Sequence, residues 1–319
     1  MLQSPFPLHI PDGFLTPLVS AIGWILALVM IAIALRQTRN QLGERQIPMM
    51  GVLAAFIFAA QAINFPVAAG TSGHLLGGAL AAIVMGPWAG TLIMTAVIAV
   101  QSLLFQDGGL LVMGWNILNM GVFTAFTGYA AYRFVRRLLG NHPAALIASG
   151  FVGAWLSVEV GAIATAFELS ASGTVPLTLA LPAMAGVHAL VGLGEGIITG
   201  AALSLLQASR PQVLEMGETA PGKRGATFVV VALVISVAVA LFSPLASASP
   251  DGLEFVAEQQ GFLARGMDAP YSILPDYAIP SISNPAVATI LAVLLGTLLV
   301  FGLALLLGRV AARRQSPGD

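Results

Sequence analysis

Eight long apolar runs dominate this chain, at about residues 14–35, 49–65, 75–105, 112–132, 145–167, 184–206, 226–247 and 286–308. Most match the ~20 residues that an α-helix needs to cross ~30 Å of hydrocarbon. The run at 75–105, LLGGALAAIVMGPWAGTLIMTAVIAVQSLLF, is too long for one ordinary crossing. It contains Gly86-Pro87, and proline lacks an N–H and clashes with the preceding turn. The run therefore reads as one kinked helix or as two, the first of them short. Only 8% of residues are charged, against roughly 25% in a soluble domain, which excludes a soluble fold. A net charge of -1, with the basic residues in small clusters, gives nucleic-acid binding no electrostatic footing. The absence of cysteine excludes disulfides and thiolate metal sites. The N-terminus lacks the basic region and small-residue cleavage site of a signal peptide.

Charge sets the number of crossings. Twelve of the thirteen basic residues fall in four clusters: Arg36/Arg39/Arg45, Arg133/Arg136/Arg137, Arg210/Lys223/Arg224 and Arg309/Arg313/Arg314. The positive-inside rule puts all four in the cytoplasm. Between the loop at 36–48 and Arg133 the chain must then cross an even number of times. One kinked helix at 75–105 makes three crossings, and a split at Gly86-Pro87 makes four. The expected fold is an all-α polytopic membrane protein with about nine transmembrane helices, N-terminus outside and C-terminus cytoplasmic. The external segments are 1–13, 66–74, 106–111, 168–183 and 248–285. Arg265 breaks the bias, in a long loop where the rule is weak.

Two of the four histidines, His9 and His74, fall on the outer side. His142 sits beside Pro143 in a cytoplasmic loop and reads as a solvated residue. His188 falls in the outer half of its run. A histidine second in a chain offers the terminal amine, its own amide nitrogen and its imidazole Nδ1, which close a five- and a six-membered chelate ring. Another imidazole can fill the fourth corner of that plane. Square-planar nitrogen suits Ni(II) or Cu(II), and all-nitrogen sites also take Co(II). Because ligands must lose protons, such binding weakens as pH falls. His9 is ninth as written, so the chelate requires a chain that begins at Leu8, translated as Met from an alternative start. On that reading MLQSPFP is a gene-model artefact or a removed segment; otherwise it is a mobile tail and His9 an ordinary interfacial residue.

The motifs HIPDGFL before a span, SGHLLGGALAAIVMGPWAG, LLFQDGGLLVMGWNILNMG and HALVGLGEGIITG together resemble the CbiM/NikM family, over about residues 9–206. These are the substrate-binding membrane (S) components of energy-coupling-factor transporters for cobalt and nickel. The resemblance implies a seven-helix S component over 8–207 with Co2+ or Ni2+ as transported substrate. Its implied ligands are the amine of residue 8, His9 through amide and side chain, and His74. If MLQSPFP stays attached, the amine is lost. The implied partners are a transmembrane coupling subunit and two cytoplasmic ATPases, in the cytoplasmic membrane of a bacterium or archaeon. Residues 208–225 then form a cytoplasmic linker. Residues 226–319, with SPDGLEFVAEQQGF in the external loop 248–285, look like a two-span PDGLE domain, the auxiliary role called NikN or CbiN. That loop carries Asp251, Glu254, Glu258, Asp268 and Asp276 against one Arg, and could gather cations over about 10 Å at 0.1 M salt.

Other polar residues lie in or beside the apolar runs. Glu195 follows His188 by two helical turns on one face, where the pair shapes a cavity or joins helices. Gly192, Gly196 and Gly200 form a close-approach face for a partner subunit or for internal packing. Asn64, Ser72, Gln101, Asn116 and Asn119 are candidates to accept the second N–H of a metal-bound imidazole, or to bond helices together. The chain has no G-x-x-x-x-G-K-[ST] loop, so ATP is expected to bind elsewhere. It has no H-E-x-x-H either, which argues against a metallohydrolase. The functional alternative is a self-sufficient divalent-cation channel or secondary transporter, for which Glu159, Glu168 and Glu195 are few. The PDGLE-type extension favours nickel slightly over cobalt.

Overall fold

The computed structural model describes residues 9–39, 42–43, 46–209 and 223–312. It is helical apart from a two-residue ribbon. Helix α1 (Pro17–Thr38) and α2 (Ile47–Gln61) both carry proline in the first turn, where its missing N–H has no helical partner to lose. The chain then makes a small antiparallel ribbon, β1 (Phe65–Pro66) with β2 (Ser72–Gly73), with Phe65 opposite Gly73 and Pro66 opposite Ser72. Helix α3 (Gly78–Met85) ends at Gly86, whose φ of 84° is a region that L side chains avoid. Helix α4 (Pro87–Val100) opens on the next residue and runs on through a wide turn to Phe105. A Cβ on Gly90 would lie 3.0 Å from the Ala82 nitrogen, so α3 and α4 pack against each other around that break.

A short α5 (Met113–Ile117) widens at Leu118–Phe123 and continues as α6 (Thr124–Leu139), whose last turn carries Arg136 and Arg137. Then come α7 (Pro143–Ala171), α8 (Leu177–Ser209), α9 (Lys223–Leu241), α10 (Gly252–Gln259) and α11 (Pro285–Ala312). Among the described residues, α1, Pro87–Phe105, α7, α8, Ala226–Leu245 and α11 are long and apolar enough to cross a membrane. Helix α2 has 15 residues, and the eight of α3 reach only about 12 Å at 1.5 Å each. Leu18, Ile25 and Leu28 of α1, Val230 and Val234 of α9 and Leu298 of α11 are exposed, as lipid-facing side chains are.

The Gly192, Gly196 and Gly200 face packs internally. Added Cβ atoms there would meet Trp155, Phe151 and Ile147, all on α7. The segment between α9 and α11 lies over the loops of the first part of the chain and bonds to them through backbone. Ser247 N–H donates to the Asn64 carbonyl and Leu274 N–H to that of Leu104. Met267 N–H donates to the Asp12 carbonyl, and Pro250 accepts from Ser72 N–H. Residues 1–8 and 210–222, which include Leu8 and most of the linker, lie outside the described residues.

Candidate metal centre

Asp12 fastens the segment that carries His9. Its carboxylate accepts the N–H groups of Leu110, Leu111 and Val112 at 2.9–3.2 Å, at the start of α5. Asn116 binds Ile10 at both backbone groups, accepting its N–H at 3.2 Å and donating to its carbonyl at 3.1 Å. Gly109 N–H donates to the same carbonyl. Only glycine fits at 109, because a Cβ there would collide with the Asp12 side chain and nitrogen. Phe14 follows, buried edge-to-face on Phe262 at 5.1 Å.

This anchoring leaves the His9 ring buried, with Nδ1 2.9 Å from Asp107 Oδ1. The planar chelate inferred for a second-position histidine needs that same Nδ1. Nε2 is buried with no hydrogen-bond partner among the described residues. Burial lowers the His9 pKa, but the Asp107 charge and hydrogen bonds outweigh it and hold the ring above its ordinary 6.5. Burial raises the Asp107 carboxyl, but His9 and the Tyr277 hydroxyl bring it below the usual range.

His74 lies in the loop after β2 and is held through its backbone neighbours. Glu195, buried on α8, accepts the N–H of Leu76 at 2.6 Å and of Gly77 at 2.9 Å. Gln61 donates to the Leu76 carbonyl at 2.8 Å. Ser72 secures the other side, its hydroxyl donating to the Ser249 carbonyl at 2.8 Å. The His74 Nδ1 lies 3.0 Å from the Leu75 carbonyl. The His9 and His74 rings stand 5.3 Å apart and nearly perpendicular, at 84°. Both line one cavity of about 70 Å3, with Asn116, Asn119, His188 and Asp251 also in its wall.

The sequence candidates thus divide. His188 lines the cavity, with Nδ1 2.8 Å from the Met184 carbonyl and the Gly252 end of α10 against its ring. Glu195 anchors the His74 loop. Asn119 lines the cavity and donates to Thr165 and to Glu168 on α7. Ser72 ties its loop to the C-terminal segment, while Gln101 donates to Gln61 at 2.9 Å and to the Tyr277 hydroxyl at 3.0 Å. Asn64 lies away from the cavity wall, and its Oδ1 is buried without a hydrogen-bond partner among the described residues.

Asp107, Tyr277 and the anchoring role of Asp12 were not anticipated. Asp107 stood inside the quoted LLFQDGG motif, where an acid right after an apolar run was the available signal. Asp251 reads from the sequence as an acid of the external loop, gathering cations or belonging to a loop packed on the outer face. It is instead buried at the start of α10, in a reciprocal cap with Glu254, and burial pushes its carboxyl up to about 8.

Residues 9–213 match the family described as the cobalt uptake substrate-specific transmembrane region, CbiM. The chain belongs to the CbiM family. Residues 226–313 match the PDGLE domain, so this member is a CbiM-type region joined to a NikN-like one. It is similar to the putative fused nickel transport protein NikMN of Archaeoglobus fulgidus, 36% identical over 306 residues, covering 95% of this chain and 99% of that protein. The fused NikMN of Rhodobacter capsulatus is 28% identical over 97% of this chain and 100% of its own. A crystal structure described as a truncated transition metal transporter aligns with a TM-score of 0.57 at 31% identity, covering 63% of this chain and 98% of the other. With its apolar helices, this CbiM-family chain is a multi-pass membrane protein.

Proposed function

We propose that the chain is the substrate-capture component of an ATP-driven importer of the energy-coupling-factor type, for Co2+ or Ni2+. The observation that carries this reading is the pair of buried imidazoles, His9 and His74, facing one small cavity. Neutral imidazole suits divalent ions of this part of the transition series. The names of the relatives, nickel and cobalt transport proteins, support the same class of cargo. Residues 8–207 form the capture unit, 208–225 the cytoplasmic linker and 226–319 the two-span PDGLE unit. The chain crosses the membrane about nine times, with the N-terminus and the cavity outside. A separate transmembrane coupling subunit and two cytoplasmic ATPases drive import, and this chain catalyses no reaction itself. The amine of residue 8 joins the ligand set in a chain that begins there.

The purified full chain, titrated with Ni2+ and Co2+ against a chelator of known affinity, tests the reading. Binding is expected in the parent and lost in His74→Ala. Equal binding by both would discard these ligands. Uptake by vesicles carrying the chain with and without coupling subunits and ATP then separates an importer component from a self-sufficient channel.

A further inference from the structure

Helix α7 has two unlike faces. Val158, Gly161, Ala162 and Thr165 line the cavity that His9 and His74 share. On another face, Val152, Leu156, Glu159 and Ile163 are half-buried and Phe167 is exposed. Their spacing of three or four residues makes them one stripe along the helix, and Glu159 is its one polar member. The 29 residues of α7 span about 44 Å, against ~30 Å of hydrocarbon, so both ends reach water. Glu159 lies near the middle of the helix, within the hydrocarbon layer. Its Oε1 is nevertheless buried with no hydrogen-bond partner among the described residues. Trp155, one turn earlier, spends its indole N–H on the Ala189 carbonyl, at 2.9 Å.

We infer that Glu159 is a docking point in mid-membrane for a transmembrane helix of the coupling subunit, which meets the carboxyl with a side-chain hydrogen-bond donor. The inference rests on the reading of this chain as one component of an importer with a separate coupling subunit. A carboxyl at this depth has few possible partners. Acyl chains offer no hydrogen bond, the hydrocarbon core holds no water, and headgroups lie too far away, so the donor must arrive on another helix. Hydrogen bonds between side chains of neighbouring helices are a common means of association in bilayers. A second copy of this chain does not fit the face. Docked stripe to stripe it brings acid against acid, and Val152, Leu156, Ile163 and Phe167 supply no donor. The docked helix would lie one residue away from Val158 in the cavity wall, so partner and metal site share one rigid element.

The test titrates the labelled coupling complex, the transmembrane subunit with its two ATPases, into the detergent-solubilised full chain. Ni2+ affinity is measured in parallel by chelator competition. Glu159→Leu, apolar and suited to a lipid-facing position, is expected to weaken association about 5- to 30-fold and to leave Ni2+ affinity unchanged. Glu159→Gln keeps an acceptor and reads the donor. Association kept in Glu159→Gln and lost in Glu159→Leu identifies a neutral donor, association lost in both a cationic one, and either result upholds the contact. Parental association in Glu159→Leu overturns the inference. So does a parent that forms a dimer which Glu159→Leu breaks, since the face then serves a second copy. Should Glu159→Leu fail to fold, Glu159→Ala replaces it under the same criterion. The parent separates the two readings. If it binds no coupling complex, the importer-component reading itself fails; if it binds the complex no more tightly than Glu159→Leu, the docking point alone fails.

Discussion

His9 and His74 face the same cavity but are held in opposite ways. His9 is gripped at its ring, by the carboxylate of a loop 98 residues away. His74 is held mainly through its chain, by Glu195 clamping the two amides after Leu75 and by Gln61 donating to the Leu76 carbonyl, while its ring Nδ1 meets the neighbouring Leu75 carbonyl. A grip on the ring controls tautomer and basicity, whereas a grip on the chain controls position alone. The first histidine is therefore the one whose ring answers to the carboxylate of a distant loop.

The largest effect should come from His74→Ala, with Ni2+ or Co2+ affinity falling at least about 100-fold and little change in thermal stability, read by chelator competition and melting. Glu195→Ala sharpens the contrast. It leaves the Leu76 and Gly77 N–H groups without their acceptor, at about 1–3 kcal/mol each, so the melting midpoint and metal affinity should fall together. A Glu195→Ala protein with parental affinity would show that the clamp has no part in placing His74. Asp107→Asn probes the ring grip by a different signal. The imidazole must be neutral to bind, and Asp107 holds its pKa above 6.5, so protons compete at higher pH than for an ordinary histidine. The variant should shift the half-loss of binding to lower pH, and an unmoved profile would break the distinction between the two grips.

A smaller effect is expected at Asp251. Its carboxyl is held at about 8, against 3.8 in the unfolded chain, so the folded protein binds that proton more tightly. The stability this gives is full below about pH 4 and is lost as pH rises through 8. Asp251→Asn, which cannot ionise, should lose less stability between pH 5 and 9, read as a smaller fall in melting midpoint than in the parent. Equal slopes for parent and variant would put the Asp251 carboxyl in water.

The two histidines and the break at Gly86-Pro87 were legible in the sequence because each announces itself locally. A histidine beside a turn, and a proline inside an apolar run, carry their meaning within a few residues. Glu195 was legible as an acid that needed a reason, though its partners, 118 and 119 residues away, were not. Asp107 and Tyr277 were opaque for the same cause. They stand 170 residues apart, and nothing near Tyr277 distinguishes it from a tyrosine at the membrane surface. The inward packing of Gly192, Gly196 and Gly200 was equally beyond local reading, since a close-approach face looks alike whichever helix fills it.

The segment over the cavity is joined to the loops beneath it by side-chain bonds and also by main-chain bonds, at Asn64, Ser72, Leu104 and Asp12. Every amino acid except proline supplies the same N–H and carbonyl, so the main-chain part of this seam is almost blind to side-chain identity. A mutational scan should therefore find Met267, exposed and giving its backbone N–H to the Asp12 carbonyl, tolerant to most replacements and sensitive to proline, while Ser72 and Tyr277, which bond across the seam through their side chains, admit few.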